Sequence, residues 1–299
     1  MTHLAFIGLG IMGSPMAVHL QKAGYDVSGY DLAPAAADAL VAVGGTRATS
    51  IAEAVTGAEI VTIMVPDSPQ VEEVLTAEGG VLANASPGTL VIDFSSIRPD
   101  VTANLAARTK AAGFRIIDAP VSGGEPGARA ATLSIMVGGE PSDIEAAWPV
   151  LEAVGQTIVR VGPNGAGQTV KAANQLIVAA NIEALSEAVA FLEAYGVDLE
   201  AAITVLGGGL AGSAVLDQKI RKILDREFAP GFRIDLHHKD MGIVTSAARE
   251  KGVVIPLGAL VAQLVASARA CGDGSLDHSA LFRGVERLSG RSLDQSRSS

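Results

Sequence analysis

The stretch "LAFIGLGIMGSPMAVHLQKAG" (4–24) constrains the fold of this chain more than any other. Residues 4–8 read as a short buried strand, and 14–24 as a helix stopped by Gly24. Between them lie Gly8, Gly10 and Gly13, with Leu9, Ile11 and Met12 completing the loop. Gly8 permits a tight turn, Gly10 lets backbone approach a pyrophosphate, and Gly13 allows the helix to pack close to the strand. The helix N-terminus then faces the anion. A merely glycine-rich turn is the alternative, and its position at the head of an alternating β/α half makes that the lesser reading.

The alternation continues for half the chain. Apolar or β-branched runs at 26–31, 59–66, 89–94, 114–120, 133–139 and 157–162 are mostly separated by helical patterns. Such an order implies an α/β fold, a doubly wound parallel sheet covered on both faces. After Gly165 the pattern becomes helical, with segments at 196–209, 213–228, 235–252 and 256–272. The expected organisation is a dinucleotide-binding Rossmann domain (1–163), an all-helical domain for substrate and dimerisation (164–290) and a polar, frayed tail (291–299).

Composition narrows the function classes. A net charge of -10 without a basic cluster argues against nucleic acid as the main partner. One cysteine, Cys271, excludes an intrachain disulfide and a Cys-based zinc site; the scattered histidines give no metal-ligand pattern. The N-terminus lacks the basic leader of a signal peptide, and no other segment reads as apolar for the length of a membrane span. The cytoplasm is the expected compartment.

Ligands of a doubly wound sheet bind outside the carboxyl ends of its strands. Asp31 ends the second strand, where a carboxylate can take ribose hydroxyls; a turn-capping aspartate is the plain alternative. Leu32 follows, with no arginine ready for a 2′-phosphate, which favours NAD while leaving NADP possible. Other strand ends carry Pro66-Asp67-Ser68, Ser95-Ser96 and "PVSGG" (120–124), small or polar residues suited to backbone near a ligand.

In "GAGQTVKAANQ" (165–175), Lys171 is the single charge between Arg160 and Glu183. An ammonium group in an apolar cleft beside a cationic ring loses basicity toward the range of acid–base catalysis. Asn174 and Gln175, at i+3 and i+4, share its helix face. A lysine snorkelling from a buried helix fits this stretch equally well.

"FIGLGIMGSPMA", "DAPVSGGEPGA", "GAGQTVKAANQ" and "HHKD" together resemble the β-hydroxyacid dehydrogenase family, related to 3-hydroxyisobutyrate dehydrogenase. The similarity runs from residue 4 to about 288, and "GGLAGSAVLD" (208–217), "FAPGFRIDLHHKD" (228–240) and "DHSAL" (277–281) resemble its tartronate semialdehyde reductase branch. The resemblance implies an NAD(P)-dependent oxidoreductase with Lys171 as proton donor and Ser122, Gly123 and Gly124 holding a substrate carboxylate. It further implies Ser96 at the cofactor and Lys239 approaching the cofactor from the helical domain. Without the resemblance, Lys239 reads as a solvated helix charge paired with Asp240. Many family members have Asn at the position of Gln175, so which of Asn174 and Gln175 meets substrate stays open. The expected partners are a small carboxylate-bearing aldehyde or hydroxyacid, and further copies of the chain as a homodimer or homotetramer, with no membrane. Sister activities on 3-hydroxyisobutyrate, glyoxylate or succinic semialdehyde, and a catalytically silent dinucleotide binder, are the alternatives.

Overall fold

The computed structural model describes residues 1–291, and the polar tail expected beyond Arg291 lies outside the described residues. The chain divides into two compact units, Met1–Lys171 and Ala172 onward. The sequence suggested a boundary at 163/164. In the structure the division falls inside the helix Ala166–Ala194, because its first turn is bonded into the first unit.

The first unit holds nine strands: β1 (His3–Ile7), β2 (Asp26–Tyr30), β3 (Thr46–Arg47), β4 (Ile60–Ile63), β5 (Leu90–Asp93), β6 (Arg115–Asp118), β7 (Val121–Ser122), β8 (Leu133–Gly138) and β9 (Gly155–Gly162). They form one sheet in the order β3-β2-β1-β4-β5-β6-β8-β7, with β9 paired to β8. The chain runs outward from β1 to β2 and β3, then returns to β1's other side as β4. This reversal is the topological switch point at which doubly wound sheets bind ligands.

Side-chain alternation shows both faces covered. In β1, Leu4 and Phe6 enter one core with the helices Gly13–Lys22 and Pro141–Glu152. Ala5 and Ile7 enter the other, with the helices Ile51–Val55, Ser68–Thr76 and Pro99–Ala111. β5 divides the same way, Leu90 and Ile92 against Val91. A period of two, apolar at every position, requires a layer on each side.

The expected doubly wound parallel sheet is present, with an antiparallel addition at one side. From β3 to β6 the pairing is parallel, but β8 runs antiparallel to β6 and β7, and β9 is parallel to β8. β7 and β8 are joined only through residues 123–132, with the short helix Gly124–Ala130, less than the dozen or more residues a parallel crossover takes. Two-residue strands such as β3 and β7 carry no periodicity and were not foreseen.

The second unit is helical, with Leu199–Gly207, Ala214–Leu224, Ile234–Glu250, Pro256–Ala268 and Leu281–Leu288 joining the greater part of Ala166–Ala194. Ser213 and Asp198 cap two of these helices through their side chains. Ala166–Ala194 is long and apolar enough to cross a membrane by composition, contrary to the sequence reading. Its apolarity is that of a core helix: Ala179, Ile182, Leu185, Val189 and Ala190 are buried in this unit's core with Ile220, Ile234 and Phe282.

Candidate active site

The glycine loop follows β1 at the switch point. Gly8 has φ of +95°, and a side chain there would overlap the Met64 carbonyl oxygen at the end of β4. A Cβ at Gly13 would overlap the carbonyl oxygen of Gly8. A Cβ at Gly10, by contrast, would meet nothing within 4 Å. Two glycines are thus required by the protein's own backbone, whereas Gly10 is exposed and open to an approaching ligand. Met12, the N-cap of helix Gly13–Lys22, offers no side-chain cap, and the first turn contains no acidic residue. Its N-terminal N–H groups and positive dipole end suit a pyrophosphate. Leu9 is buried, Ile11 is exposed and Met12 half-buried.

Asp31 locks this loop. Its Oδ2 accepts the Leu9 N–H at 2.8 Å, and its Oδ1 accepts the Ala33 N–H at 2.8 Å. The carboxylate therefore stands fixed beside the loop, an acceptor-only group facing the kind of hydroxyl donors a ribose carries. Leu32 is fully in solvent.

Along the same rim, Ser95 Oγ accepts the Val65 N–H at 3.0 Å, joining the ends of β5 and β4. Pro66 is exposed and Ser96 half-buried. Gln168, in the first turn of helix Ala166–Ala194, donates from Nε2 to the Ser95 carbonyl (2.7 Å) and accepts the Ile97 N–H on Oε1 (3.0 Å). Asp118, at the end of β6, accepts the backbone N–H groups of Gly165 (2.8 Å) and Gln168 (3.1 Å). Burial pushes the Asp118 carboxyl up to about 6, against the opposing pull of those N–H groups. Gly167 completes this joint, since a Cβ there would overlap the Met136 carbonyl oxygen. Lys171, one turn beyond Gln168, is buried.

Ser122 is half-buried on β7, opposite Ser134 of β8. Gly123 (φ +131°) and Gly124 (φ +61°) take conformations that L side chains rarely adopt, so the "SGG" turn is a backbone device. Glycine loop, Asp31, Ser96, Ser122, "SGG" and Lys171 all belong to the first unit.

Within the second unit, Gln175 is buried and bonded at both ends of its carboxamide. Its Oε1 accepts from Asn174 Nδ2 at 2.8 Å, and its Nε2 donates to Asp240 Oδ2. Lys239 Nζ lies 2.8 Å from the other Asp240 oxygen. His237 Nε2 is 3.4 Å from the Gln175 carbonyl oxygen, and His237 Nδ1 is 3.0 Å from His278 Nδ1. A carbonyl only accepts, so a proton on His237 Nε2 makes that contact a hydrogen bond and leaves Nδ1 to accept from His278. His278 Nε2 is a buried atom without a hydrogen-bond partner. Burial, reinforced by His237, holds His278 well below the usual imidazole range.

Sequence reading paired Asp240 with Lys239, as found, but missed its bond to Gln175, and it missed Asp118, Gln168 and the His237–His278 pair. Asp118 and Gln168 lay inside the quoted motifs, but a residue that bonds to backbone has no signature apart from the fold around it. The histidine pair has no sequence signature either, because the partner of His237 comes from 41 positions along the chain.

The chain is similar to known proteins over nearly its whole length. Residues 3–162 match the family model described as the NAD binding domain of 6-phosphogluconate dehydrogenase. Residues 165–285 match the NAD-binding domain of NADP-dependent 3-hydroxyisobutyrate dehydrogenase. A 2-hydroxy-3-oxopropionate reductase of Escherichia coli K12 is 42% identical over 290 residues, covering 97% of this chain and 99% of that protein. A 2-(hydroxymethyl)glutarate dehydrogenase of Eubacterium barkeri is 37% identical, with 97% of each chain covered. Among solved structures, Mycobacterium tuberculosis 3-hydroxyisobutyrate dehydrogenase with L-serine superposes with a TM-score of 0.86 at 36% identity, over 95% of this chain and 99% of that one. The chain belongs to the β-hydroxyacid dehydrogenase family of NAD(P)-dependent oxidoreductases that act on hydroxyl groups.

Proposed function

We propose that this chain reduces tartronate semialdehyde (2-hydroxy-3-oxopropanoate) to glycerate, reversibly and with NADH. The observation that carries the substrate is the 42% identity, over 97% of the chain, to a 2-hydroxy-3-oxopropionate reductase. The acceptor-only Asp31, fixed by Leu9 and Ala33 and followed by exposed Leu32, supports NADH over its 2′-phosphorylated relative.

When bound, NADH supplies the hydride for the aldehyde carbon. Lys171 gives a proton from its ammonium group to the carbonyl oxygen, which becomes the new hydroxyl. Its amine is then reprotonated from solvent, and in the reverse direction it takes the hydroxyl proton. Ser122 and the backbone of Gly123 and Gly124 hold the substrate carboxylate, so that the aldehyde is presented in one orientation. Asn174 presents its carboxamide to the substrate. Gln175 acts behind it, since both ends of its own carboxamide are engaged with Asn174 and Asp240. Lys239, oriented by Asp240, serves the cofactor.

The test is a panel of C3 and C4 aldehyde acids, followed by NADH and NADPH absorbance. Tartronate semialdehyde with NADH is expected to give the highest kcat/KM. A preference for methylmalonate semialdehyde, glyoxylate or succinic semialdehyde would move the chain to a sister activity.

A further inference from the structure

We propose that Gln168 is a positioning residue for proton and hydride transfer, a clamp that sets the separation between the Ser96 peptide and Lys171. The proposal rests on the reading of Ser96 as a cofactor contact and of Lys171 as the proton donor.

Gln168 is almost fully buried, with 1% of its surface exposed, and both ends of its carboxamide are hydrogen-bonded. Its side-chain Nε2 donates to the Ser95 carbonyl (2.7 Å), and its Oε1 accepts the Ile97 N–H (3.0 Å). The carboxamide thus bonds one backbone group on each side of Ser96, as a neighbouring β-strand would. Its own N–H is given to Asp118 Oδ2 (3.1 Å). The same rim is tied onward, since Ser95 Oγ accepts the Val65 N–H and Ser95 N–H donates to Asp93 Oδ1 at 2.9 Å.

Lys171 follows three residues later on one face of the helix, about 4.5 Å along its axis. Any slip of Gln168 relative to Ser95 and Ile97 therefore moves Lys171 relative to Ser96 by the same amount. Proton and hydride must arrive at adjacent atoms of one carbonyl group, so the spacing of their two supports is a catalytic quantity. A displacement near 1 Å costs about 100-fold in rate.

The residue type is dictated by this double role. A carboxamide has one donor and one acceptor end, matched to a carbonyl and an N–H two residues apart. Methionine has a similar shape and makes neither bond. An ionised glutamate keeps the acceptor for Ile97 and sets a second acceptor against the Ser95 carbonyl.

The experiment compares Gln168→Met and Gln168→Glu with the native enzyme, using whichever panel aldehyde the native enzyme reduces fastest. For Gln168→Met, kcat is expected to fall about 10- to 100-fold, with KM for NADH and aldehyde within about threefold. The primary isotope effect with 4-deuterated NADH should rise, as chemistry becomes slower than the other steps. In the cofactor-free protein, hydrogen exchange of the Ile97 amide should accelerate in Gln168→Met and remain slow in Gln168→Glu at pH 8, while both lose kcat. Native kcat in both variants would overturn the proposal. So would a kcat loss matched by lost active enzyme, with isotope effect and Ile97 exchange unchanged, because that is the mark of a purely structural residue. If Gln168→Met does not fold, Gln168→Glu decides by its kcat and isotope effect alone. Lys171→Ala, run alongside, separates the two readings. Retained turnover there removes the lysine's role, whereas an inactive Lys171→Ala with a fully active Gln168→Met removes only the clamp.

Discussion

Asp118 accepts the backbone N–H of Gly165 at 2.8 Å, so the carboxyl end of β6 caps the start of the helix that carries Lys171. Its second oxygen takes the Gln168 N–H one turn on. Two N–H groups that a helix start leaves without intrahelical partners are satisfied by one buried side chain. Asp118→Ala should lower unfolding free energy by about 2–4 kcal/mol, the loss of a cap together with buried N–H groups left unmet. Urea denaturation measures it; a change below about 0.5 kcal/mol would remove the capping role.

Glu183 gives a pH signature in the second unit. Burial, with Glu187 nearby, pushes its carboxyl up to about 7. The folded state therefore holds this proton more tightly than the unfolded chain does. The stability it contributes is fully present below the ordinary carboxyl range and is lost as pH rises toward about 7. Its Oε2 has no partner to lose. Glu183→Gln should thus stabilise the protein at pH 8, by roughly 1–3 kcal/mol, and change little at pH 4. Thermal melting at the two pH values checks this, and an equal effect at both would contradict it.

For cofactor choice, Asp31→Ala removes both the proposed ribose acceptor and the bond that holds Leu9. NADH affinity should fall about tenfold or more, with a smaller loss for NADPH. Fluorescence titration with each nucleotide reads the ratio. An unchanged NADH/NADPH preference would count against Asp31 as the discriminating group.

Asn174 and Gln175 should behave differently although they are neighbours. Asn174→Ala is expected to lower kcat/KM for the aldehyde about 10- to 100-fold with stability nearly intact. Gln175→Ala and Asp240→Ala share one hydrogen bond, so their stability effects should be non-additive, with a coupling of about 0.5–3 kcal/mol. Additive losses would mean that the bond does not orient Gln175.

Much of this was legible in the sequence, for physical reasons that can be named. Gly8 and Gly13 were readable because only glycine fits where a side chain would overlap a backbone carbonyl, and spacing records such demands. The strands of the parallel half were readable because two-sided burial leaves continuous apolar runs. β7 escaped because two residues hold no period, and the reversal of β8 escaped because pairing direction depends on partners distant in sequence. Lys171 stood out as a lone charge. Its supports, Gln168 and Asp118, did not, because a side chain that bonds to backbone looks in sequence like any other polar residue.

The most direct measurement of the central claim is steady-state turnover of tartronate semialdehyde by Lys171→Ala, with NADH affinity measured on the same sample. A general acid contributes about 10²- to 10⁴-fold, so kcat should fall by that factor while the NADH Kd stays within about threefold of native. Native-level turnover in the variant would contradict Lys171 as the proton donor.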